Sequence, residues 1–104
     1  MLDSYKTIKT RFQTIEKELQ DPALFANPQK LKSLSLEYND LKNKIELIDK
    51  IEKLETELKQ TEETLNSSDD EEIKTMAKEE AENVKDQMST VKSQLKELMR
   101  PADP

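Results

Sequence analysis

Apolar residues recur along this chain at steps of three and four, the spacing that gathers side chains onto one face of an α-helix. Tyr5, Ile8, Phe12, Ile15 and Leu19 form the first such run and predict a helix from about Asp3 to Gln20. Asp3 and Ser4 are both suitable N-cap types for it. Asp21-Pro22 ends the run, because proline disfavours helical geometry in the residue before it. Pro22–Asn27 reads as a short connector, with Leu24 and Phe25 as a hydrophobic plug between helices. Asn27-Pro28 then looks like a restart, Asn as cap and Pro at the first helical position. The second helix is predicted from about Pro28 to Leu65, with a seam of Leu31, Leu34, Tyr38, Leu41, Ile45, Ile48, Ile51, Leu54, Leu58 and Leu65. Consecutive three-residue steps from Ile45 through Leu54 shift this seam locally, in the manner of a stammer.

Asn66–Asp70 is the next turn signal, and Ser68 with Glu71 has the S-x-x-E spacing of a capping box. A third helix is predicted to run to about Met99 on Ile73, Ala77, Val84, Met88, Val91, Leu95 and Leu98, with Met76 and Ala81 widening the seam. Arg100-Pro101 stops it. Acid-to-base pairs four residues apart, Asp40–Lys44, Glu46–Lys50, Asp49–Lys53 and Glu55–Lys59, mark a solvated helix face. Two long helices joined by a short polar turn predict an all-α fold: an elongated, coiled-coil-like antiparallel hairpin with the shorter first helix packed near its base. Residues 1–100 read as one helical domain and 101–104 as the start of a linker. The turn should lie at the far tip, about 45 Å or more from Pro101.

Composition narrows the function. There is no Gly, Cys, His or Trp, and 38% of residues are charged against 33% apolar. Folds built on many positive-φ turns are disfavoured without Gly, and a lean, charged mixture suits helices sharing narrow seams. Without His or Cys no activated nucleophile of the usual kind and no zinc site can be assembled, and without Gly there is no phosphate-binding loop. Carboxylates are plentiful but interleaved with Lys on helix faces, not in settings that tune pKa. The expectation is a chain that is not itself an enzyme and binds no cofactor, metal or small molecule. The net charge of −6 disfavours general nucleic-acid binding but allows a local basic patch. No signal peptide and no membrane-length apolar stretch is present, so a cytoplasmic protein is expected.

Two exposed features compete with plainer readings. Lys6, Lys9 and Lys17, with Gln13 between, fall along one face of the first helix and are the candidate RNA-backbone contact; the plainer reading is a solvated face. Ser67, Ser68, Asp69 and Asp70 at the turn are the candidate contact for a protein partner. The acidic run Asp69–Glu72 lacks the alternation and Gly of a calcium loop and reads as helix-start electrostatics. Met76, Met88 and Met99 read as seam packing, not as a plastic groove.

Several segments in order resemble the N-terminal domain of the bacterial and organellar peptide chain release factor 1 family. They are Met1-Leu2-Asp3, Leu19-Gln20-Asp21-Pro22, Asn27-Pro28 with Leu34-Ser35-Leu36-Glu37-Tyr38, Asp69–Glu72 with Met76-Ala77-Lys78-Glu79-Glu80, and Pro101-Ala102-Asp103-Pro104. Leu36, Asn27 and Ala102 depart from the residues usual there, and Asp21-Pro22-Ala23-Leu24-Phe25 is also similar to the paralogous release factor 2. The resemblance implies a helical hairpin that docks toward the stalk base of the large ribosomal subunit. It implies a longer factor, with peptidyl-tRNA hydrolysis at UAA and UAG driven by a Gly-Gly-Gln loop elsewhere in it. The competing reading, from the helices alone, is a free-standing coiled-coil adaptor or chaperone-like protein, which would self-associate through its seams.

Overall fold

The structure, a computed structural model, describes residues 2–100. Its elements in order are α1 (Leu2–Glu18), a one-turn 3-10 helix (Pro22–Ala26), α2 (Pro28–Ser67) and α3 (Glu71–Leu98). No strand occurs among the described residues, and the fold is all-α. The segment 101–104, expected to open a linker, lies outside them. The chain divides into two compact units, residues 1–46 and 47–104, and α2 contributes to both.

In the first unit α1 packs on the first half of α2. Ile15, Leu24, Leu34 and Leu41 form the buried cluster, flanked by Ile8, Phe12, Leu19, Leu31 and Tyr38. The rings of Phe12 and Tyr38 stack with centroids 4.8 Å apart, a contact worth about 0.5–1.5 kcal/mol beyond its area. Arg11 fixes the pairing of the helices by a fork onto Glu37, Nε to Oε2 at 2.8 Å and Nη2 to Oε1 at 2.9 Å. Both side chains stay about two-fifths exposed, so the pair specifies geometry more than it stabilises.

The connector is not loose. Asp21-Pro22 ends α1 and also starts the 3-10 turn: Asp21 Oδ1 accepts the Ala23 N–H at 3.0 Å and Pro22 takes the first position. Asn27-Pro28 repeats the device for α2, where Asn27 Oδ1 accepts the Lys30 N–H at 3.2 Å. Only half of the expected plug forms, since Leu24 is buried but Phe25 is 76% exposed.

In the second unit, residues 47–67 of α2 and α3 form the hairpin. Ile48 and Ile51 of α2 and Val84 of α3 are fully buried, with Ala77, Ala81, Met88 and Leu95 continuing the α3 stripe. The buried step from Ile48 to Ile51 falls inside the Ile45–Leu54 stretch of three-residue spacings, whose outer members Ile45 and Leu54 are half-buried. The ends of the α3 stripe differ from expectation: Ile73, Met76, Leu98 and Met99 are exposed at 43, 67, 41 and 41%. Ile73 and Met76 sit in the first two turns of α3, close to where α2 ends, so the partner helix does not fully cover them.

Candidate docking surfaces

The turn between α2 and α3 is built by two of its own candidate residues. Ser67 ends α2. The Ser68 hydroxyl accepts the Asp70 N–H at 3.2 Å. Asp70, not Ser68, is the N-cap of α3: its Oδ1 accepts Glu72 N–H at 2.9 Å and Ile73 N–H at 3.5 Å. The capping box expected between Ser68 and Glu71 is therefore replaced by an Asp cap placed closer to the helix, whose carboxylate also meets the positive end of the macrodipole. Ser67, Asp69 and Asp70 are exposed and Ser68 half-buried.

On α1, Lys6 and Lys17 are exposed while Lys9 is half-buried and already engaged within the chain. Ideal helical geometry puts the three within a sector of about 80°, with exposed Gln13 between them. Glu16 borders the sector and weakens its positive field.

Three features were not anticipated from sequence. The first is the Arg11–Glu37 fork. Its hydrogen bonds hold the Glu37 carboxyl below its ordinary range, against a smaller opposing effect of desolvation. The second is a pair of carboxyls facing each other across the hairpin. The hydrogen bond that protonated Glu80 donates to the Glu57 carboxylate pushes the Glu80 acid above its ordinary range, with desolvation and mutual repulsion adding to it. The third is charge segregation. Residues 55–83 carry eleven acids against three lysines, a net −8, while all the other residues together carry fourteen bases against twelve acids, a net +2.

The chemistry available is that of surfaces. Among the described residues no group of three or more His, Cys, Asp or Glu is placed to hold a metal ion. No described helix is long and apolar enough to cross a membrane.

Fold and surfaces thus define the class first: an all-α chain whose helices bury narrow seams and present charged faces. The family follows from comparison, and the chain belongs to the PCRF domain family, whose model matches residues 8–104. Over 103 residues it is 30% identical to the peptide chain release factor 1 of Chlorobaculum tepidum, covering 99% of this chain and 29% of that protein. The corresponding protein of Chloroherpeton thalassium is 31% identical over 103 residues, with the same 99% and 29% coverage. That of Bacillus anthracis is 30% identical over 104 residues, or 100% of this chain and 29% of the relative. The chain therefore spans less than a third of the length of these relatives. No solved structure matches it.

Proposed function

We propose that this chain is the N-terminal docking domain of a translation termination factor which, at full length, directs peptidyl-tRNA hydrolysis at UAA and UAG codons on the ribosome. The observation that supports this most is the PCRF family match across residues 8–104, together with alignment of 99% of the chain to a protein named peptide chain release factor 1. The hydrolytic step belongs to another part of the factor, because a Gly-Gly-Gln loop cannot come from a chain without Gly. The role left to this domain is to place the factor on the ribosome in the cytoplasm, without cofactor or metal.

In this reading the turn Ser67–Asp70 and the acidic hairpin meet a basic ribosomal protein surface at the stalk base of the large subunit. The Lys6, Lys9 and Lys17 face is the contact for rRNA backbone. Residues 101–104 begin the linker to the rest of the factor. An acidic surface is matched to Lys and Arg side chains and not to phosphate, and contacts of this kind govern encounter more than chemistry.

The test is made in the full-length factor. One heptad is removed from each helix of the hairpin, which retracts the turn by about 10 Å and preserves the seam. Weaker ribosome affinity, with slower release at limiting factor and normal release at saturation, is the expected result. Wild-type affinity and kinetics would overturn the docking role.

A further inference from the structure

The first turns of α3 expose apolar surface in the most acidic part of the molecule. Ile73, Met76 and Glu80 are spaced i, i+3, i+7 and share a sector of about 60° on the helix. Ile73 is 43% and Met76 67% exposed. At the far end of this strip, Glu80 meets Glu57 of α2 in the carboxyl pair described above. On α2, Glu57, Thr61 and Leu65 follow at four-residue steps and are all half-buried. The surface therefore has an apolar end and a doubly acidic end.

We propose that this strip is a docking surface for a basic amphipathic helix, whose apolar side chain seats on Ile73 and Met76 and whose Lys or Arg bridges Glu57 and Glu80. The proposal rests on the docking role assigned to the hairpin and moves its centre from the turn Ser67–Asp70 to the flank of α3. Charge decides the occupant. The net −8 of residues 55–83 repels RNA, an anionic membrane and a second copy of this same hairpin, and attracts a cationic partner. Two facing carboxyls are best satisfied by a cation brought between them, and a guanidinium can engage both at once. Met76 suits a contact whose partner varies in detail, because its side chain is flexible and polarizable.

The experiment titrates the whole 104-residue chain with an amphipathic Leu/Lys helical peptide by calorimetry, with a same-charge peptide in which every Leu is Ser, and with oligouridylate. The Leu/Lys peptide should bind, the Ser version about tenfold more weakly, and oligouridylate not at all. Met76→Lys should weaken binding about tenfold and the Glu57→Gln, Glu80→Gln pair about fivefold, with helicity unchanged because these side chains lie outside the buried stripe. Equal binding of the two peptides, wild-type affinity in Met76→Lys, or comparable binding of oligouridylate overturns the proposal. The two readings fail separately in the full-length factor. If hairpin shortening lowers ribosome affinity and Met76→Lys does not, this surface is wrong and the docking role stands; if shortening has no effect, the docking role itself falls.

Discussion

Asp70 Oδ1 collects two backbone N–H groups that α3 leaves without intrahelical partners, whereas Ser68 Oγ collects only the N–H of Asp70 itself. Asp70→Ala should therefore cost about 1 kcal/mol in urea denaturation, with Asp70→Asn close to wild type and Ser68→Ala clearly milder. A larger cost for Ser68→Ala would restore the capping box to Ser68. Both residues are N-cap types and stand two apart, so the sequence spacing alone could not choose between them. The Arg11–Glu37 fork was less legible still, because its partners are 26 residues apart. One sign of it was available: Arg11 is one of two arginines in a chain with fifteen lysines, and Arg is the residue suited to a fork on a carboxylate. Glu37 is held below its unfolded value near 4.5, so its stabilising effect is present above that value and is lost as pH falls through the lowered one. Glu37→Gln should remove that part of the acid sensitivity of the first unit, read by amide exchange at Ile15 and Leu34. An unchanged acid limb would mean that the fork is absent in solution.

At the scale of the elements, period and punctuation reached most of the fold. The buried positions Leu34, Leu41, Ile48, Ile51, Ala77, Val84, Met88 and Leu95 all lie on the expected seams. The 3-10 turn does not show in the periodicity, but Asp21-Pro22 has the same Asx-Pro form as the helix restart at Asn27-Pro28. Periodicity marks which side of a helix is apolar, but it does not say where the covering helix stops, and so it puts Ile73 and Met76 on a seam that the structure leaves partly open. That difference is measurable. Ile51→Ala should cost about 2–5 kcal/mol, whereas Met76→Ala should stay within about 0.5 kcal/mol of wild type. The Glu57–Glu80 pair gives the hairpin a pH response opposite to that of the Arg11–Glu37 fork. Glu80 is raised above 4.5, so the stability tied to its protonated form is complete below that value and is lost as pH rises through the raised one. Glu80→Gln should make the hairpin more stable at neutral pH and flatten its response between the acid and neutral ranges. A Glu80→Gln variant less stable than wild type at pH 7 would show that the two carboxyls do not oppose each other.

At the scale of the molecule, the negative charge is concentrated in residues 55–83 and the remainder is slightly positive. A field of one sign confined to one segment acts at a distance before any contact forms, and salt weakens it over a screening length of about 8–10 Å. If the hairpin approaches a basic ribosomal surface, this field should raise the association rate and leave the lifetime of the bound state to the contacts themselves. Glu55, Glu62, Glu63 and Glu82 are exposed and none shares the Ile73–Met76–Glu80 strip. Replacing all four with Gln in the full-length factor removes half of the net −8 without touching that strip. The expected outcome is an association rate onto ribosomes about tenfold lower at low salt, a flatter salt dependence, and an unchanged dissociation rate. If the domain acts only in docking, as proposed, peptide release at saturating factor should be unaffected. A faster dissociation rate would instead place these four acids in the contact. An unchanged association rate would mean that the acidic hairpin does not meet a basic surface on the way to the bound state.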